Sequence, residues 1–208
     1  MTALMLTLLS LFAAPQPVSM DEASDHKEVA AVVKTAVDGV VKVLQTKELS
    51  RDAKRAKVME VINPLIDFKL LAMLSLGKKH WTKINDEQRS SFTDLFVETL
   101  QLSYFEKLEL FTDEVVEFDP PKTIKSKSPK YHVLTYIVSK GDRIKVAYHL
   151  TRRDDAWKVY DFEIEGVSIR KSYGAQYADF LREKSFDELL KTMGDKIRET
   201  KAKDAKSN

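Results

Sequence analysis

The chain has no cysteine in 208 residues. This excludes disulfide scaffolds, Cys-ligated zinc, iron–sulfur clusters and thiol nucleophiles. It also removes the acceptor that lipoprotein anchoring needs. Glycine and proline number only six each, too few for a collagen-like or low-complexity chain. Excess charge is missing as well: 34 Lys and Arg stand against 32 Asp and Glu, a formal net charge of +2. That balance offers no general argument for nucleic acid as a partner. No G-x-S-x-G, P-loop, G-x-G-x-x-G or H-E-x-x-H motif occurs, so the common catalytic and phosphate-cradling signatures are absent. What the chain does have is apolar content, 43% of residues, enough for one packed domain at this length.

Charge is also absent from residues 1–20, and residues 3–14 (ALMLTLLSLFAA) form a twelve-residue apolar run. A membrane-spanning helix needs roughly twenty such residues, whereas a secretory h-region needs about 7–15. The run therefore predicts a signal peptide over residues 1–20, although no basic residue follows Met1 and Phe12-Ala13-Ala14 is an imperfect cleavage site. Residues 191–208 hold six basic and three acidic side chains. The positive charge thus belongs to the end of the chain, and residues 201–208 are expected to be a basic, disordered tail. A single domain over residues 21–200 lies between.

The first half of that domain reads as helix. Val29, Val33, Ala36, Val37, Val40 and Leu44 recur at helical spacing. Ser50 is placed to cap a second helix that Asn63-Pro64 ends. Asp67 caps a short third helix to Leu76, with Gly77 as its terminator. Asn85 and Gln88 form a capping-box pattern before a long helix whose stripe is Phe92, Phe96, Leu100, Tyr104 and Leu108. After Phe111 the period changes to two. Strands are expected over residues 115–118, 131–138, 144–150 and 157–164, with turns at Lys140-Gly141 and Arg153-Asp154-Asp155. Residues 166–169 would continue the sheet after a bulge. Two helices follow, over residues 171–182 and from a Ser185–Glu188 capping box onward. Helices, antiparallel meander, helices is an α+β domain with no βαβ alternation.

Candidate chemistry is sparse. A hairpin centred on Lys140-Gly141 sets His132 opposite His149; the pair could titrate together or bind metal, but no third ligand is visible and a surface pair is the simpler reading. Asp161, Glu163 and Glu165 fall on one strand face, where like charges read as solvated surface rather than an acid/base pair. Lys122, Lys125, Lys127 and Lys130 form a basic stretch without interleaved aromatics, which suits a guarded strand edge or the docking of an acidic partner better than nucleic acid. Apolar supply exceeds what one helix face needs. Leu70, Leu71, Met73, Leu74 and Leu76 cover most of the short third helix, and residues 131–138 are apolar on both parities. Composition alone leaves two readings open, a filled core and an internal cavity for a lipophilic ligand.

Two segments carry a resemblance. The first is Ile66-Asp67-Phe68-Lys69-Leu70-Leu71-Ala72-Met73-Leu74-Ser75-Leu76-Gly77-Lys78-Lys79-His80-Trp81, followed by Gln88-Arg89, Phe92, Phe96, Leu100 and Tyr104. The second is Tyr160-Asp161-Phe162-Glu163-Ile164-Glu165-Gly166-Val167-Ser168-Ile169, then Ser172-Tyr173 and Gln176-Tyr177. In order and separation they resemble the two signatures of the MlaC, or toluene-tolerance, family of periplasmic phospholipid-binding proteins, over residues 29–193. Ser172 and Gly174 stand where that family usually has Asn and Arg.

The resemblance implies a nuclear-transport-factor-like cone: a curved antiparallel sheet wrapped by helices, with N- and C-terminal helices enclosing an apolar cavity. It implies a periplasmic, monomeric carrier and not an enzyme, with bound phospholipid as cargo and no cofactor, metal or nucleic acid. Its partners would be the substrate-binding ring of an inner-membrane ABC transporter and an outer-membrane lipoprotein–porin complex, and its role the upkeep of outer-membrane lipid asymmetry. The expected lipid-binding residues are Leu70, Leu74, Phe92, Phe96, Leu100, Val133, Tyr148, Phe162, Val167, Ile169 and Tyr173. The competing readings are a secreted cone-sheet enzyme acting on a small apolar substrate, which would draw on Asp161, His149 or His132, and a non-catalytic structural adaptor.

Overall fold

Side-chain caps set the boundaries of the helical first half. The computed structural model describes residues 20–109, 115–124, 129–139 and 142–207. Its first helices are α1 (Met20–Gln45), α2 (Arg51–Ile62), α3 (Phe68–Leu76), α4 (Lys78–Trp81) and α5 (Asp86–Glu109). Ser50 Oγ accepts the Ala53 amide and Asp67 Oδ1 accepts the Leu70 amide at 2.8 Å. Each satisfies a donor that a helix start leaves without a partner. Ahead of α5, the Gln88 amide donates to Asn85 Oδ1 at 2.8 Å and the Asn85 amide to Gln88 Oε1 at 3.2 Å, a reciprocal capping box. Gly77 ends α3 at φ +82°, a conformation that a Cβ disfavours. The one-turn α4 is an addition to the expected set. The proposed signal peptide up to residue 19, Lys125, Lys127 and the Lys140-Gly141 turn lie outside the described residues.

The sheet contains β1 (Val115–Phe118), β2 (Lys122–Thr123), β3 (Lys130–Ser139), β4 (Asp142–Arg153), β5 (Ala156–Ile164) and β6 (Val167–Ser168). Its order is β1-β3-β4-β5-β6, with β2 beside β3 on the same edge as β1. The strand pairs are antiparallel, and His132 does face His149. Two tight turns carry positive φ at both central residues, Asp154-Asp155 (47° and 58°) and Glu165-Gly166 (50° and 78°). Such turns match the right-handed twist of the strands they join. The second corrects an expectation: the chain makes a hairpin at Gly166, not a bulge. The bulge lies earlier, at Tyr160, between the pairs Leu150↔Val159 and His149↔Asp161.

That bulge decides which side chains face inward. Before it, Trp157 and Val159 pack on the core; after it, Phe162 and Ile164 turn inward, opposite Tyr148 and Val146. Asp161 and Glu163 consequently share the outer face with His149 and His132. Glu165 does not join them on the strand, because it is the first central residue of the turn.

Two helices close the chain, α6 (Ile169–Glu183) and α7 (Phe186–Ser207). Ser168 caps α6 through the Lys171 amide, and Ser185 with Glu188 forms the expected capping box. α7 continues through Ser207, so residues 201–207 are helical where a disordered tail is expected. A Cβ on Gly174 would stand 3.0 Å from the Ser75 carbonyl oxygen. This glycine lets α6 close on α3, and it accounts for the absence of a bulky residue there.

The core forms three clusters, the smallest of them Leu44, Val58 and Phe105 where α1, α2 and α5 meet. Phe92 and Phe96 of α5, both fully buried, join Leu71, Tyr177 and Leu189 among α3, α6 and α7. Val29 and Val33 of α1 pack on Tyr131, Val133, Trp157 and Val159 of the sheet.

The outer face holds two polar devices. Asp161, only 2% exposed, accepts hydrogen bonds from Ser168 Oγ (2.6 Å), the Arg170 amide (3.1 Å) and Arg170 Nε (3.3 Å). This clasp ties β5 to the start of α6. Removing one member of a buried pair costs about 3–5 kcal/mol. Arg170 is 29% exposed, which reduces the expected loss for Asp161→Ala to about 2–3 kcal/mol in urea unfolding.

The second device is the stacked His132–His149 pair, with ring centroids 4.7 Å apart and planes 5° from parallel. Glu163 Oε1 lies 3.2 Å from His149 Nε2 without hydrogen-bond alignment, and both Nε2 atoms are buried. Burial, and then the neighbouring imidazole, hold the His132 pKa below the ordinary 6.5; Glu163 opposes this, while Lys145 and Lys122 reinforce it. The unfolded chain therefore takes up this proton more readily than the native one, and stability falls as pH drops through and below 6.5. Urea midpoints should decline from pH 7.5 to 5.5, and His132→Gln should flatten that slope.

Candidate binding cavity

Between α1, α2, the C-terminal half of α5 and the sheet lies a cavity of about 460 Å³. It exists because α1 touches the sheet at one end only. Val29 and Val33 reach the strands with Val37 packed beside them, but Ala36 and Val40 are short side chains that leave space. Val58, Met59 and Ile62 of α2 form a second wall, and Leu100, Tyr104, Phe105 and Leu108 of α5 a third. The floor is Val116, Ile137, Ile144, Val146, Tyr148, Phe162 and Ile164. Along α1 the lining runs from Val33 to Leu44, about 16 Å at 1.5 Å per residue.

Val33, Leu100 and Val159 close the inner end and are 5% exposed or less. Leu44, Val58 and Phe105 are as deeply buried, while Val41, Leu108, Ile137 and Ile144 are half-buried lining residues. None of its lining residues is charged. The polar atoms belong to Gln101, Tyr104 and Tyr148. Burial, with Tyr173 nearby, pushes the Tyr104 phenol up to about 12. Burial also raises Tyr148, partly offset by a hydrogen bond with Thr135. Both stay neutral across the physiological range, and the interior is an uncharged, elongated, oily slot.

Of the expected lipid-binding residues, Leu100, Tyr148 and Phe162 line this cavity. Phe92, Phe96, Val133 and Ile169 are packed core instead. Phe92 and Phe96 stack at 6.0 Å, and Tyr177 packs edge-on to Phe92 at 5.2 Å. Tyr173 packs edge-on to Phe96 at 5.4 Å and reaches Ser103. Leu70 and Leu74 are half-buried on α3 away from the slot, and Val167, at the hairpin end, is 56% exposed. The residues that sequence reasoning missed are the walls on α1 and α2. Their signal was present: Val33, Ala36, Val37, Val40 and Leu44 form a stripe without a single aromatic.

Asp161, His132 and His149 sit on the sheet face opposite the cavity, so no acid/base group from them enters it. Among the described residues, no group of three or more His, Asp or Glu stands close enough to hold a metal ion. Among the same residues, no helix is long and apolar enough to cross a membrane.

Core and wall should respond differently to truncation. Phe96→Ala opens a hole in packed core and should cost about 3–5 kcal/mol. Ile144→Ala only enlarges an existing void and should cost about 1 kcal/mol or less. Urea unfolding at constant m-value distinguishes them.

Comparison with known proteins agrees with this architecture. A phospholipid-binding protein from Ralstonia solanacearum, solved in complex with a phospholipid at 1.53 Å, superimposes with a TM-score of 0.74 at 23% identity; the match covers 83% of this chain and 98% of that one. No curated protein matches. The profile of the MlaC protein family matches residues 34–195, a span that includes the α1 and α2 walls, the sheet and the first part of α7. The chain belongs to the MlaC family.

Proposed function

We propose that this protein is a periplasmic phospholipid carrier. The observation that carries the reading is the uncharged 460 Å³ slot, a size typical of ligand sites. Packed interiors do not leave such holes by default. The slot is not fully enclosed, so without a ligand part of its apolar lining faces water; an apolar occupant hides that lining, which favours binding by about 25 cal/mol per Å² of apolar surface removed from water. The phospholipid held by the Ralstonia protein of the same fold supports lipid acyl chains as that occupant. The absence of charged groups from the lining, with Asp161, His132 and His149 on the opposite face, supports binding without chemistry.

The finer reading follows from the family and from the apolar leader. The protein acts as a monomer in the periplasm after loss of residues 1–20. It accepts lipid from, or delivers it to, an outer-membrane lipoprotein–porin complex and the substrate-binding ring of an inner-membrane ABC transporter, which maintains outer-membrane lipid asymmetry. Acyl chains occupy the slot and the head group stays at its mouth.

Lipid extraction tests the reading. Gently purified protein should yield phospholipid in about one-to-one ratio by native mass spectrometry and thin-layer chromatography of an organic extract. Ala36→Trp, which fills the slot from α1, should lose most of that lipid and raise the melting temperature of the delipidated protein. Folded protein that is repeatedly lipid-free would defeat the proposal.

A further inference from the structure

The slot's walls carry no charge, but Arg55, whose guanidinium lies over the wall residue Phe105, has no carboxylate partner among the described residues. Resting on the carrier reading above, we infer that Arg55 is the phosphate-binding residue at the cavity mouth, taking the phosphodiester of the bound lipid.

Arg55 lies on α2 one turn before Val58 and Met59, on the same helix face as these wall residues. Its guanidinium sits over the ring of Phe105, 5.7 Å from the centroid, and Phe105 is itself part of the wall. Arg55 is half-buried. Its guanidinium therefore rests on a buried cluster of wall residues, Leu44, Val58 and Phe105, next to the half-buried wall residues Met59 and Leu108.

The neighbouring cations are otherwise engaged. Lys54 Nζ donates to the Leu44 carbonyl at 2.8 Å, capping the end of α1, and Arg51 has a contact of its own. Among the described residues, no carboxylate pairs with Arg55. Residues 51–57 hold Arg51, Lys54, Arg55 and Lys57 against the single acid Asp52. Cations crowded into the first two turns of a helix oppose its dipole. An anion brought to the mouth would relieve that repulsion, and a guanidinium meets a phosphodiester with two parallel N–H donors. Stacking on Phe105 holds the fork in place before the ligand arrives.

The test uses the full mature chain, delipidated and reloaded with phosphatidylglycerol or with diacylglycerol of the same acyl chains. Wild type should retain phosphatidylglycerol over diacylglycerol. Arg55→Ala should lower that ratio about tenfold, the loss of one charge-assisted pair. Arg55→Lys should fall between, since an ammonium keeps the charge and loses the fork. A wild-type ratio in Arg55→Ala, or equal loss of both lipids through Phe105 packing, overturns the assignment. Excess inorganic phosphate that leaves wild-type loading intact assigns the group to lipid-borne phosphate; displacement by it would reassign recognition to free phosphate and overturn the head-group role. Wild type that retains neither lipid defeats the carrier reading itself, an outcome distinct from a failed ratio.

Discussion

The bulge at Tyr160 is the constraint on which the rest depends. One extra residue in β5 changes which parity faces inward and sharpens the local twist. Trp157 and Val159 on one side of it meet α1 in close packing. Phe162 and Ile164 on the other side face a gap. α1 meets the sheet at Val29 and Val33, and toward its end Leu44 packs on Val58 and Phe105 instead, with the slot lying between these contacts. The gap persists because the α1 side chains along it are mostly alanine and valine, which are short, and valine is stiff at χ1 in a helix.

The same division runs through α5. Its four-residue stripe is continuous in sequence, yet Phe92 and Phe96 are locked among α3, α6 and α7, while Leu100, Tyr104 and Leu108 look into the slot. A rigid aromatic half thus anchors a wall half. Charge is segregated with equal consistency. Asp161 is tied to Ser168 and Arg170, and Glu163 lies beside His149, on the outer face. A neutral interior suits a passenger that needs no activation, because a reacting group would need a charge or a titratable partner within reach.

Much of the fold was legible because it was written in local chemistry. Ser50, Asp67, Asn85, Gly77 and Ser185 each end or begin a helix for reasons of hydrogen bonding that act within four residues. The β3–β4 register follows from turn position alone, which put His132 opposite His149. The cavity was less legible for the converse reason. Phe96 and Leu100 are equivalent by periodicity, and only the curvature of a sheet sixty residues downstream separates core from wall. Large aromatics such as Phe92 and Tyr173 pack against one another among the helices, whereas the cavity is left by small residues, as along the Val–Ala stripe of α1. The bulge was anticipated in the wrong place because Gly166 looks like a strand irregularity, while Tyr160, which carries it, looks like an ordinary strand residue.

An apolar wall measures one property of a ligand, the area it hides from water. Each buried methylene contributes about 0.8 kcal/mol wherever it lies along the slot, and the contact has no preferred direction. Such a wall distinguishes long chains from short ones and is indifferent to what they are esterified to. It also lets chains enter and leave end-first, since partial insertion is rewarded in proportion to its depth. Selectivity by head group must then reside where water and wall meet. In this fold that boundary is built from the end of α1, the basic first turns of α2 and the far end of α5, and not from the sheet that forms most of the floor.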